Sequence, residues 1–333
     1  MRSKQNELPA EEYFSLRAFK SSQNKIAMGL FFFIAIEAVC ALIAGMMMLA
    51  MPEQTAEDPV VSELFSAAMY LGVFLSTIAF LSGSTGKKFS LSSGLRPRLP
   101  RRPLCGIFLC LAVFNMGNVL SYFADLFWSG LGFPEAPGTV SFSSDAGIGL
   151  LLLSLFSTAL LPAILEEILF RGLILGELSR YGRSIAVIFS GALFGLVHRT
   201  TSQILFAALG GILLAYFVLE SGSILFGMIV HFINNAVAVL SSFAALHLSN
   251  EAYFAVFMSF DLLIFALGIL SAVRLFRRES VAGPLPPEGD NTWLCRTEPE
   301  RVTARGSIFS ILSGGTVAFA VTALLYAVFT LYL

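Results

Sequence analysis

Residues 160–178 read LLPAILEEILFRGLILGEL. All but a few side chains in this stretch suit the interior of a bilayer, yet Glu166, Glu167 and Arg171 stand in its middle. A charged side chain at the centre of a membrane costs about 2.5–3.5 kcal/mol on insertion scales. Such groups persist where they pair with one another or where function needs them.

The rest of the chain fixes the setting of that stretch. Its 333 residues are 56% hydrophobic and 13% charged, and the mean hydropathy is +0.79. A soluble domain of this length carries about 25% charged residues. The charges are bunched and leave long apolar runs, which predicts an all-α, polytopic helical membrane bundle. The net charge of −1 averages over unlike loops and identifies no partner. No basic face with interleaved aromatics exists, so nucleic acid is not an expected partner. Cys40, Cys105, Cys110 and Cys295 show no metal-type spacing and read as membrane-helix residues or free thiols. The first apolar run is long and lacks a small-residue cleavage signature, so it reads as a span, not as a removed signal peptide.

Nine apolar runs of spanning or near-spanning length follow, at 26–51, 61–83, 104–130, 147–178, 184–199, 203–220, 223–247, 251–273 and 307–331. A spanning helix needs about 20 apolar residues, so the fifth run is short. Basic residues orient the set. Arg2, Lys4, Arg17, Lys20 and Lys25 precede the first run, and Lys87, Lys88, Arg96, Arg98, Arg101 and Arg102 follow the second. Arg180 and Arg183 follow the fourth; Arg274, Arg277, Arg278, Arg296, Arg301 and Arg305 follow the eighth. The intervening loops, 52–60 and 131–146, carry acids and no Lys or Arg. This alternation predicts about nine spans with the N-terminus cytoplasmic and the C-terminus outside. The Pro-rich, charged segment 280–306 reads as a cytoplasmic linker to the last span.

Helix geometry sorts the opening charges. Glu167 and Arg171 are four apart with the acid first, the favoured order for an ion pair on one helical face. Glu166 lies about 100° round the helix, because a turn holds about 3.6 residues. One carboxylate thus has a local partner and its neighbour needs one elsewhere. The blander reading makes both acids structural glue for Arg171.

The histidines favour a functional reading. Of three in the chain, His198 ends the fifth run in GALFGLVHRT, His231 lies in the seventh in GMIVHFINNAV, and His247 sits at that run's outer end. An interfacial His247 needs no further explanation, and a lone intramembrane histidine is more often a packing residue. Asn235, one turn after His231, completes a constellation spread over three helices. At about 1.5 Å rise per residue, Glu166, His198 and Asn235 lie roughly 21–23 Å from the basic ends of their helices and His231 roughly 15 Å. All four can share one level. Gly191 and Gly195 form a small-xxx-small pair that allows another helix to approach closely.

The residue types supply a coherent chemistry. A carboxylate free of an ion-pair partner can act as general base toward water, and a neutral histidine can relay the proton. A His–Asn pair can donate to a developing oxyanion. The alternative is zinc held by Glu166, His198 and His231 with an open position for water. The sequence leaves both open. No HExxH helix, GxGD motif or GxSG nucleophile with a matching histidine is present.

The motifs EEILFRG (Glu166–Gly172), FGLVH (Phe194–His198) and HFINN (His231–Asn235), in this order, resemble the EExxxR, FxxxH and HxxxN motifs of the CPBP family. That family comprises type II CAAX prenyl endopeptidases and bacteriocin-processing or immunity proteins. The resemblance covers roughly residues 147–247. It implies that Glu166 and His198 activate water, that His231 and Asn235 stabilise the oxyanion, and that Glu167 and Arg171 support the site. It also implies a helical bundle whose cavity opens toward the cytosol and the lipid, and a membrane-associated substrate, prenylated or of another kind. The expected organisation is a cytoplasmic segment 1–25, spans over 26–146, the core 147–247, a further span 248–279, the linker 280–306 and a last span 307–333. The expected location is the cell membrane.

Two other functions fit the same buried charges: a non-proteolytic immunity or assembly factor, and an ion-coupled transporter. The remaining polar groups have simpler readings. Glu37 reads as facing the bundle interior, and Asp125 beside Trp128 as interfacial. Asn115 and Asn118 read as glue between helices, and Asp261 lacks a partner in its own span.

Overall fold

The computed structural model describes residues 10–86, 94–95, 97–100, 102–132, 142, 146–198, 200, 202–276 and 312–329. Among them are nine apolar helices and no strand: α1 Ala10–Ala50, α2 Pro59–Thr85, α3 Pro103–Gly130, α4 Ile148–Tyr181, α5 Arg183–His198, α6 Ile204–Ser221, α7 Leu225–His247, α8 Asn250–Phe276 and α9 Gly314–Phe329. Seven are long and apolar enough to cross a membrane; α5 and α9, with 16 described residues each, are shorter. The segment 280–306 and residues Arg2, Lys4, Lys87, Lys88, Arg96, Arg101, Arg277, Arg278 and Cys295 lie outside the described residues.

The first helix starts well before its apolar run. Phe19, Ser22 and Gln23 are buried, so this polar opening is part of the bundle. Ser22 Oγ donates to Glu177 Oε1 at 2.6 Å and lies 2.9 Å from the Tyr181 hydroxyl. Polar residues here are tolerated because α4 supplies partners at the same level.

Helix α4 is the axis of the fold and contacts α1, α2, α5 and α7. Two stretches are π-helical, Leu155–Leu160 and Glu167–Ile174. The first ends just before Pro162, which has no N–H to donate and whose ring needs room in the preceding turn. The second begins at Glu167 itself. Wide turns reorganise backbone pairing, and Ser190 Oγ of α5 donates to the Phe170 carbonyl at 3.0 Å.

Hydrogen bonds identify the two ends of the bundle. At one end Arg102 Nη1 donates to the Arg274 carbonyl at 2.5 Å, joining the start of α3 to the end of α8. Ser22 meets Glu177, Ser313 N donates to Gln23 Oε1 at 2.8 Å, and Ile224 N donates to the Gly94 carbonyl at 3.0 Å. This end carries the basic residues. At the other end Ser241 and Tyr253 hydroxyls are 2.8 Å apart and Phe142 packs edge-on against Phe243.

The main core surrounds the later half of α4, with Leu169, Phe170, Leu173, Ile174, Phe74 and Phe194 fully or nearly fully buried. A second cluster, Cys110, Leu214, Phe217, Phe226 and Val230, joins α3, α6 and α7. Helices α5 and α6 cross at Gly191 and Gly195. A Cβ at Gly191 would strike the backbone of Ile212, and one at Gly195 the backbone of Ile204 and Ala208. Asp261 finds its partner across the bundle, accepting from Asn115 Nδ2 at 3.1 Å.

Candidate active site

Arg171 and Glu167 form the floor of the site. Both side chains are fully buried, and Arg171 Nη1 donates to Glu167 Oε1 at 2.7 Å. Arg171 Nη2 also donates to the Gly211 carbonyl at 3.2 Å, and its guanidinium lies 4.3 Å from the Phe194 ring centroid. A buried ion pair is sustained only when further contacts replace lost water. Here a carbonyl and an aromatic face do so. Gly227 lets α7 approach, since a Cβ there would collide with Glu167 Oε2.

His231 sits between the two carboxylates. Its Nδ1 is 3.2 Å from Glu167 Oε1, and its Nε2 is 3.8 Å from Glu166 Oε2. A carboxylate only accepts, so Nδ1 carries the hydrogen in the first contact. Nε2 is then the atom able to exchange a proton with Glu166 or, once protonated, to donate to an oxyanion.

Glu166 is set apart from the Arg171 pair, as its position round the helix predicts. Its partner is Tyr70 of α2, whose hydroxyl donates to Glu166 Oε1. The Tyr70 ring stacks on Phe74 with centroids 4.5 Å apart, which holds the hydroxyl in place. Glu166 Oε2 accepts no hydrogen bond from a described residue.

His198 Nδ1 lies 2.9 Å from the Phe194 carbonyl. A carbonyl accepts, so Nδ1 bears the hydrogen and Nε2 is an acceptor. Phe194 contacts both histidine rings edge-on, with centroids 4.8 Å from His198 and 5.8 Å from His231. Asn235 Nδ2 donates to the Thr158 carbonyl at 3.4 Å, and its Oδ1 accepts from Asn234 Nδ2 at 3.1 Å.

Glu166, His198, His231 and Asn235 all line one cavity of about 450 Å³. One wall is polar. Glu63 accepts from the Ser157 hydroxyl and, at 3.2 Å, from the Thr158 hydroxyl. Phe114, Phe206 and Ala207 contribute apolar lining. The cavity combines apolar lining with a few converging polar groups, as binding sites generally do.

The zinc set of Glu166, His198 and His231 is not assembled in this arrangement. Among the described residues no three His, Cys, Asp or Glu side chains are grouped to hold a metal ion. In both histidines Nδ1 is engaged, with the Phe194 carbonyl for His198 and with Glu167 for His231, which leaves Nε2 as the free nitrogen of each ring. No step below is therefore routed through a metal.

Tyr70, Glu63 and Thr158 were not among the residues singled out by sequence. The spacing Glu63–Ser66–Ala67–Tyr70 on α2 is the available signal, since residues three and four apart share a helical face. That spacing does not say which helix the face meets.

Residues 148–237 match the family model described as Type II CAAX prenyl endopeptidase Rce1-like. The chain thus carries an Rce1-like segment holding all four candidate residues. The comparisons with curated proteins and with solved structures found no match.

Proposed function

We propose that the Rce1-like segment makes this multi-pass membrane protein an endopeptidase that hydrolyses a peptide bond of a membrane-associated polypeptide. Glu166 is the general base. The observation that carries this reading is the separation of the two carboxylates. Glu167 is committed to Arg171 and His231, whereas Glu166 lines the cavity, is held through Oε1 by Tyr70, and keeps a buried Oε2 that accepts no hydrogen bond from a described residue.

The chemistry follows from the donor set. Glu166 Oε2 accepts a proton from water, with His198 Nε2 as a second acceptor that orients it. The resulting hydroxide oxygen bonds to the carbonyl carbon, and the carbonyl pair moves onto oxygen. Asn235 Nδ2, and His231 Nε2 when protonated, donate to that oxyanion. The tetrahedral species collapses as the C–N bond breaks, and the proton taken from water goes to the leaving nitrogen. The products are a carboxylic acid and an amine, which ionise to carboxylate and ammonium, with no covalent enzyme intermediate.

The test is cleavage of a farnesylated CAAX reporter peptide by purified protein, beside Glu166→Gln. The family description makes that peptide the first to assay. Cleavage abolished by the substitution supports the assignment. Equal cleavage by both proteins would remove Glu166 from the chemistry. If neither cleaves the peptide, mass-spectrometric comparison of membrane peptides from cells expressing each form tests other substrates. Identical peptide sets would then count against an endopeptidase.

A further inference from the structure

The resemblance implies a cavity open to the cytosol, but the lining of this cavity runs from the middle of the bundle toward the end opposite the basic residues. Glu63 is about 33 Å from the basic end of α2 and about 6 Å from its other end, at 1.5 Å per residue. By the same rise, Ser121 is about 27 Å from the basic end of α3 and Ser157 about 36 Å from that of α4. Gln203 belongs to the turn that reverses the chain between α5 and α6, far from the basic end of both. Asn235 and Ala238 lie near the middle of α7, about 15 and 20 Å from its first residue, Leu225. No residue of the basic ends lines the cavity.

The basic side of the site is filled. Every residue of α4 from Leu169 to Leu178 is buried, and Arg171, Phe170, Phe194 and Phe217 are among the largest fully buried side chains. The opposite half of α4 is loosely covered: Ile148, Leu152 and Phe156 are each more than half exposed. In that half the cavity lies between two groups of helices. Helix α2 packs on α1 and α4, whereas α3 packs on α6, α7 and α8. Ser66 of α2 and Asn118 of α3 both line the cavity and both are exposed.

Short loops rich in Lys and Arg remain cytoplasmic, and those without them are translocated. We infer that Glu166 is reached from the extracytoplasmic half of the membrane, between α2 and α3. The substrate is then a polypeptide segment presented in the outer leaflet or at its surface, and not a tail anchored in the cytoplasmic leaflet. This inference rests on the endopeptidase reading for its substrate, but access itself is testable without catalysis.

The experiment uses single cysteine substitutions in the full chain, read as labelling above that of the unsubstituted protein. Ser66→Cys and Asn118→Cys probe the cavity. Glu57→Cys marks the acidic end and Arg17→Cys the basic end; both positions are exposed. A membrane-impermeant maleimide is applied to right-side-out and inverted vesicles. Ser66→Cys and Asn118→Cys are expected to react in the orientation that labels Glu57→Cys. Reaction in the orientation that labels Arg17→Cys, or in neither, overturns the inference. Ser66→Cys changes one atom of an exposed side chain, so folding is not at issue there. An inactive enzyme that labels as expected would sink the endopeptidase reading and leave the access route standing.

Discussion

At the scale of single residues, the site depends on keeping two adjacent carboxylates in different environments. Glu166→Gln keeps the shape and removes the base. General bases contribute about 10²–10⁴-fold, so turnover is expected to fall by that order while the protein still folds. Tyr70→Phe tests the finer point. A hydrogen bond to a charged group is worth about 1.5–3 kcal/mol, and its loss frees Glu166 to rotate. We expect kcat to drop by about tenfold or more, at 1.4 kcal/mol per decade, with KM unchanged. A raised KM at constant kcat would make Tyr70 a substrate contact instead. Chelation offers a third check. Since the proposed step uses only Glu166, His198, His231 and Asn235, treating the protein with a chelator is expected to leave cleavage unchanged. Activity lost on chelation and restored by zinc would contradict that. The Glu167–Arg171 pair was readable because four residues of helix dictate it. The Tyr70–Glu166 bond was not, because its partners lie 96 residues apart and only tertiary packing brings them together. Likewise the Glu167–His231 contact spans 64 residues. The sequence offered His231 for the oxyanion, from its pairing with Asn235 and from the resemblance, whereas its position also makes it the link between the two carboxylates.

At the scale of elements, positions that carry no chemistry hold the site's helices in place. Helix α5 delivers His198 and Phe194, and its register against α6 is set by Gly191 and Gly195. Their close neighbours include backbone atoms, which cannot turn aside as a side chain can. Overpacking of a tight core typically costs about 1–3 kcal/mol, so Gly191→Ala is expected to lower the midpoint of thermal unfolding in detergent. Gly72→Ala is the control, because nothing lies within 4 Å of its would-be Cβ. Equal midpoints for the two variants would refute the tight crossing. Breaking a buried ion pair from one side costs about 3–5 kcal/mol. Arg171→Met alone should therefore be far more damaging than Arg171→Met combined with Glu167→Gln. The small-residue spacing and all nine apolar runs were visible in sequence. The limits of the helices were less so. Hydropathy starts the first helix at its apolar run, whereas Ser22 and Gln23 are helical because Glu177, Tyr181 and Ser313 receive them. The π-helical turns of α4 left no trace beyond Pro162.

At the scale of the molecule, the last helix is joined to the rest by packing more than by its linker. Helix α9 lies against α1 and α5, remote from the cavity, and none of its residues lines it. Its start is held by polar contacts that are buried. Ser313 N and Thr316 Oγ1 both donate to Gln23 Oε1, at 2.8 and 3.2 Å. Further along, Phe319 is fully buried and meets Phe31 edge-on at 5.7 Å. Removing α9 would take these two donors from Gln23 Oε1, and a buried polar group that loses a partner costs about 1–3 kcal/mol. Cutting the chain removes neither contact. A protease site inserted between Gly289 and Asp290, in the Pro-rich stretch read as linker, separates these two possibilities. After cleavage in mild detergent, the fragment bearing α9 is expected to co-purify with the larger fragment, and reporter cleavage to persist. A fragment that elutes alone would mean that the linker, and not the Gln23 and Phe31 contacts, keeps α9 in place. Gln23→Leu in the cut protein gives the graded version: it removes the acceptor for both donors and should release the fragment at lower detergent concentration than the cut protein with Gln23 intact.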